Sequence, residues 1–148
     1  LVGLLIFSSP LYSIIKMHPH QQVYFNFIAG KDPMENFEGD YWGTSYRRGL
    51  DWIVNNDNQD SIMVIAHNIS GTMNRHIIDK NDRSRLHFKK NLDLSDINNR
   101  NGDYYITNFR DQQPLIYQKA KKGVHLFNNE VFSVNTRGMK LLGVYRLE

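Results

Sequence analysis

The chain has no cysteine, which excludes disulfides, thiolate zinc sites and cysteine nucleophiles together. It has no phosphate-cradling glycine loop, because Gly39, Gly43 and Gly49 lack both the spacing and the preceding strand that such a loop needs. Ser70-Gly71 stands in no G-x-S-x-G elbow. Charge of one sign is also scarce: 18 basic residues face 15 acidic ones, a net of +3. These are scattered without a basic stripe, so nucleic acid is not an expected partner. A mildly basic isoelectric point would equally suit a surface lying near anionic lipid. Long apolar runs are missing as well, and no segment reaches the ~20 residues of a complete transmembrane helix.

What is present is enough for one domain and an appendage. The 148 residues suffice to bury a single core, and 41% hydrophobic with 22% charged residues is a globular composition, so the chain folds. Residues 1–15, LVGLLIFSSPLYSII, carry no charge. A signal peptide would place a basic segment before such a run, and an amphipathic core helix would show polar positions at helical spacing. The run begins without an initiator Met and is expected to be the end of a transmembrane helix in a longer protein. The alternative is a buried helix. In the membrane case Lys16, His18 and Tyr24 lie at the interface, where basic and aromatic side chains are favoured.

Pro19 biases His18 away from helix and is expected to end the first helix. Val23, Phe25 and Phe27 then alternate with Tyr24, Asn26 and Ile28 in a stretch that fits a buried strand or a helical turn. Residues 29–36 read as a loop. Thr44 or Ser45 is placed to cap a helix in which Tyr46, Leu50, Ile53 and Val54 share one face, with Gly49 implying close packing. Residues 61–67, SIMVIAH, read as a buried strand. Residues 68–72 are expected to turn, and residues 73–80 to form a short helix with Met73, Ile77 and Ile78 inward. Residues 85–90 alternate as a half-exposed strand. Residues 92–102 are turn-rich with a brief helix starting at Ser95, and residues 103–109, DYYITNF, form a second strong strand. A short helix at 114–120, a strand at 124–127, and a hairpin of 131–134 with 139–147 turning through residues 135–138 complete the chain. The expected fold class is α/β, a mixed sheet with flanking helices and a C-terminal β-hairpin.

The densest chemistry lies in residues 37–56, FEGDYWGTSYRRGLDWIVNN. Glu38 and Asp40, two apart, would project from one side of an extended segment and suit a cation or sugar hydroxyls, with Tyr41 and Trp42 as an apolar platform for a sugar ring. Equally, the carboxylates would favour the positive end of the following helix, and at least one of the aromatics would fill core. His18 and His20 flank Pro19, but a metal site needs at least three protein ligands and no third is evident. DINNRNGD, residues 96–103, imitates a calcium loop, yet Arg100 occupies a ligand position. No metal is expected. Asn68-Ile69-Ser70 matches a glycosylation sequon by chance.

HPHQQVYFN at residues 18–26, followed by FEGDYWGTSYRRGLDWI at residues 37–53, resembles the membrane-exit region of bacterial family 39 glycosyltransferases. These are the polytopic GT-C enzymes related to protein mannosyltransferases and the aminoarabinose transferase. The match covers the first third of the chain. It implies transfer of a sugar from a polyprenyl-phosphate donor with inversion, at the bacterial cytoplasmic membrane, by an enzyme whose catalytic aspartate lies in an early extracytoplasmic loop outside this chain. Residues 1–16 are then the end of the last transmembrane helix, residues 17–43 a membrane-exit segment and loop, and residues 44–148 an α/β domain facing the periplasm or cell exterior. The implied partners are the membrane, the upstream transmembrane core, the lipid-linked sugar and a glycan or protein acceptor. No catalytic residue and no cofactor falls on this chain. The candidate substrate-binding residues are His18, His20, Glu38, Asp40, Tyr41, Trp42 and Arg47. The rival expectations are a non-enzymatic membrane-anchored module that binds carbohydrate or protein, and a soluble hydrolase using Asp40 or Glu38.

Overall fold

The structure, a computed structural model, describes residues 2–24, 37, 39–89, 102–110 and 129–147. The expectations for residues 25–36, 92–101, 114–120 and 124–127, and the side chain of Glu38, lie outside the described residues. Helix α1 (Val2–Lys16) is followed by one 3-10 turn (Gln21–Val23) and α2 (Tyr46–Asn56). Strand β1 (Ile62–Ala66), helix α3 (Ile69–Asn74) with a second 3-10 turn after it (Arg75–Ile77), helix α4 (Lys80–Arg85), and strands β2 (Leu86–Phe88), β3 (Tyr104–Thr107), β4 (Glu130–Thr136) and β5 (Met139–Arg146) complete the described elements. The strands form a five-stranded sheet in the order β2-β1-β3-β5-β4. β1 runs parallel to β2 and β3, whereas β5 is antiparallel to both β3 and β4. The α/β class with a mixed sheet and a closing hairpin is as the sequence predicts.

Register follows the two-residue period of extended chain. Val64 opposes Tyr104 and Ile106 opposes Val144, and these line the face that carries α2; Ile65, Tyr105 and Tyr145 stand in register on the other face. The main core gathers Ile62, Val64 and Ala66 of β1, Ile106 of β3 and Leu142 and Val144 of β5 beneath Tyr46, Leu50, Ile53 and Val54 of α2. Burying each large apolar side chain contributes about 1.5–3 kcal/mol. Gly49 is the reason α2 lies so close: a Cβ there would stand 2.6 Å from both Ile106 Cδ1 and Leu142 Cδ2. Met17 and Val23, from the segment before α2, join the same core.

The β4–β5 turn is tighter than expected. Thr136 pairs with Met139, leaving only Arg137 and Gly138, both left-handed at φ 48 and 80, the backbone signature of a two-residue hairpin turn.

Other expectations are corrected. Met73 and Ile77 are exposed and only Ile78 is buried. The side chain of Asn68 accepts from the Ser70 N–H and starts α3 inside the expected turn, which rotates the helix so that Gly71 and Asn74 face inward. Residues 80–85 form α4, a helix the hydrophobic pattern does not show; its start signal is Asp79, whose carboxylate accepts from the Asn81 N–H. Neither Thr44 nor Ser45 caps α2: Ser45 holds the cap position without a side-chain cap bond.

Helix α1 has 15 residues, about 22 Å at 1.5 Å per residue, and no helix among the described residues is long and apolar enough to cross a membrane. Its described side chains are unusually exposed for their chemistry: Phe7, Leu11, Tyr12, Ile14 and Ile15 all face outward, while Ser13 is buried. Lys16 lies 5.7 Å over the Tyr12 ring.

Candidate functional site

The order β2-β1-β3 means that the chain leaves β1 to one side and returns on the other. Such a reversal opens a crevice at the carboxyl ends of the two central parallel strands. Here those ends are His67 and Asn68 after β1, and Asn108, Phe109 and Arg110 after β3. The Asp40–Gly43 turn is fastened across them. Asn108 Nδ2 donates to the Asp40 carbonyl at 2.8 Å, Arg110 Nη1 to the Tyr41 carbonyl at 3.2 Å, and Asn74 Nδ2 to the Gly43 carbonyl at 3.0 Å.

Asp40 is the buried anion of this turn, only 1% exposed. Its Oδ1 accepts from the Thr44 N–H at 2.9 Å, the Thr44 hydroxyl at 3.1 Å and Gln22 Nε2 at 3.2 Å. Its Oδ2 accepts from the Ser45 N–H at 2.8 Å and from the Ser45 hydroxyl. A carboxylate offers about four lone-pair positions, so these donors saturate it. Asp40 therefore takes over the role expected of Thr44 or Ser45, satisfying orphan N–H groups where α2 begins. Of the two roles open to this carboxylate, the structure shows the one at the start of the following helix.

Asn108 is the second organiser. Its Oδ1 accepts from Asn68 Nδ2 at 2.9 Å and from the Tyr46 hydroxyl at 3.4 Å, while its N–H donates back to the Tyr46 oxygen at 3.3 Å. Burial first, then the nearby Tyr105 and Asp40, pushes the Tyr46 phenol well above its ordinary range against the pull of the Asn108 bond. It stays a neutral strut. Beyond Asn108, Phe109 holds φ 59, a left-handed conformation that costs a bulky residue about 1–3 kcal/mol. The Thr107 hydroxyl accepts its N–H at 3.0 Å, and the bend carries Arg110 to the Tyr41–Trp42 turn.

Tyr41 and Trp42 do not fill core. They are 46% and 71% exposed, with ring centroids 5.1 Å apart and planes at 82°. The Arg110 guanidinium sits 4.0 Å from the Tyr41 centroid, a cation–π contact of about 0.5–1 kcal/mol at an exposed site.

Of the remaining candidates, Arg47 and His18 have separate partners. Arg47 is exposed on α2 and pairs with Asp51 at 3.7 Å. His18 is exposed, its Nδ1 2.7 Å from Gln21 Nε2. His20 is 3% exposed, with neither ring nitrogen hydrogen-bonded among the described residues. Burial lowers the His20 pKa; Asp40 opposes this, and Arg48 and His18 reinforce it. Because the unfolded chain takes up that proton more readily, the stability His20 contributes is complete above its unfolded value of about 6.5 and falls away as pH drops below it. His20→Leu is therefore expected to flatten the stability profile between pH 7.5 and 5. Denaturant midpoints at both pH values check this, and parallel losses in both proteins would refute it.

Among the described residues no three or more His, Asp or Glu gather as a metal-binding group. The arrangement presents two aromatic rings and a guanidinium on a rigid polar base, which is equipment for binding. Sequence reasoning passed over Asn68, Asn74, Asn108 and Arg110. The available signal was position, since Asn68 and Asn108 lie at the carboxyl ends of the two strongest strands. No family model, curated protein or solved structure matches this chain.

Proposed function

We propose that the chain is the membrane-adjacent extracytoplasmic domain of a polytopic family 39-type glycosyltransferase, which moves a sugar from a polyprenyl-phosphate donor to a glycan or protein acceptor at the bacterial cytoplasmic membrane. The domain covers the active site or positions the acceptor, and the catalytic aspartate belongs to another part of that enzyme. One observation carries the proposal: the two blocks of the resemblance are in contact, through Gln22 Nε2 donating to Asp40 Oδ1 at 3.2 Å and to the Thr44 hydroxyl. They form one joint between an outward-facing apolar helix and a soluble α/β layer. The exposed apolar side chains of α1, ending at Lys16, suit the edge of a bilayer, with α1 as the end of a membrane helix.

Trp42→Ala in the full-length enzyme is expected to raise the KM for acceptor about tenfold with less effect on kcat, the pattern of lost binding contacts. Transfer assayed over a range of acceptor concentrations checks it; unchanged kinetics at normal membrane abundance would remove the proposal. The saturated carboxylate of Asp40 favours one second reading, a non-enzymatic carbohydrate- or protein-binding module on a membrane anchor. Membrane topology separates the two. A many-span core with an acidic residue in its first outer loop supports the transferase, and a single anchor supports the module.

A further inference from the structure

We propose that Trp42, Tyr41 and Arg110 form a ledge that binds a neutral hexopyranose ring, with Trp42 as its floor. This rests on the proposed sugar-handling role and names the part of the ligand that the turn holds.

Three observations lead to it. First, Trp42 is largely exposed although the turn that carries it is bonded on every side. The Gly43 N–H donates to the Asp40 carbonyl at 3.0 Å, and the Tyr46 N–H to the Gly43 carbonyl at 3.2 Å. An exposed ring on a fixed backbone loses little freedom when it binds, so its apolar area is spent on the ligand.

Second, the perpendicular rings make a corner. The guanidinium of Arg110 already lies over the Tyr41 ring, so Tyr41 serves as wall and Trp42 as floor. A pyranose fits this geometry because its axial C–H bonds form an apolar face for an indole, while its equatorial hydroxyls point outward to polar neighbours. A flat nucleobase needs no such wall, and the basic residues are scattered along the sequence without a stripe that would follow a phosphate backbone.

Third, the ledge stands at the switch point of the parallel strands, where open α/β sheets bind ligands. The polar side of the corner is Arg110, whose guanidinium lies against the Tyr41 ring, while Asn108 is buried and holds the turn from beneath. A donor beside an aromatic floor fits a neutral polyol better than a lipid chain.

The chain has two tryptophans, and Trp52 is stacked 5.6 Å from Phe132, so fluorescence can be assigned with single replacements. The 148-residue chain, in a zwitterionic detergent without a sugar headgroup, is titrated with methyl β-D-glucopyranoside, methyl α-D-mannopyranoside and, as a control, uridine monophosphate. The expected result is a saturable change with at least one hexoside, retained in Trp52→Phe, lost in Trp42→Ala and about tenfold weaker in Tyr41→Ala. Circular dichroism verifies that each variant is folded.

The proposal is overturned by no saturable hexoside response, by a response surviving Trp42→Ala, or by saturation with uridine monophosphate alone. Quenching of Trp42 by brominated-lipid vesicles that hexosides do not relieve also overturns it, because the ring then sits in lipid. Hexoside binding with normal transfer in the full-length Trp42→Ala enzyme keeps the ledge and removes the transferase role. Loss of acceptor affinity without hexoside binding does the reverse.

Discussion

Asp40→Ala is expected to destabilise the domain by about 3–5 kcal/mol, because it takes the common acceptor from several neutral donors packed around one buried carboxylate. The replacement leaves the Thr44 and Ser45 N–H groups and both hydroxyls without their acceptor at the start of α2, and each buried donor left unsatisfied costs about 1–3 kcal/mol. A typical domain has only about 5–15 kcal/mol in total, so a large part of the population unfolds. Asp40→Asn is expected to rescue little, because an amide offers one acceptor oxygen and turns an NH2 group towards donors. Urea midpoints for both variants check this, with Trp42→Ala as reference at within about 0.5 kcal/mol of the parent. A midpoint for Asp40→Ala equal to that of Trp42→Ala would show that the buried carboxylate does not hold the turn. Activity lost on replacing Asp40 therefore reports folding, whereas activity lost on replacing Trp42 reports binding.

Gly43→Ala is the second large effect. Gly43 has φ +68, and a Cβ there would lie 2.5 Å from the Cβ of Ser70, an atom held by the backbone of α3. The left-handed conformation costs an L-residue about 1–2 kcal/mol and overpacking a further ~1–3 kcal/mol. The two contributions separate experimentally. Ser70→Gly in the same chain removes the clash and leaves the conformational cost, so the double variant is expected to recover part of the loss, measured as a coupling between neighbours. Simple additivity of the two changes would show that the Ser70 contact does not limit the turn. Gly49 provides the contrast: a Cβ there would meet side-chain ends of Ile106, Leu142 and Val144 and no backbone-held atom of another helix, so up to about 1 kcal/mol of helix propensity gained by alanine is set against about 1–3 kcal/mol of overpacking.

These expectations divide the D-Y-W-G turn by role. Asp40 and Gly43 hold its shape, whereas Tyr41 and Trp42 face outward. Such a division is invisible in a linear motif, where all four residues look alike. The same limit explains the misplaced face of α3. Hydrophobic spacing put Met73 and Ile77 inside, but a cap at Asn68 shifted the start of the helix, and an early start rotates every later residue. Helix α4 escaped because no apolar stripe marks it, and its packing comes from the charged stems and backbone around Arg85, whose guanidinium donates to the carbonyls of Val54, Asp57 and Gln59.

What the sequence alone determined was local. Period and β-branching defined β1, β3 and the closing hairpin, and the spacing of Tyr46, Leu50, Ile53 and Val54 defined the buried face of α2. These signals act within a few residues, so no tertiary information is needed to read them. Tertiary structure alone decided that Asn108, 68 positions from Asp40, fastens the turn, that Asp40 is buried and spent on α2, and that Arg110 meets Tyr41. Each depends on which strands become neighbours at the β1–β3 reversal. That is a choice made by burial of the whole sheet, and no single segment encodes it.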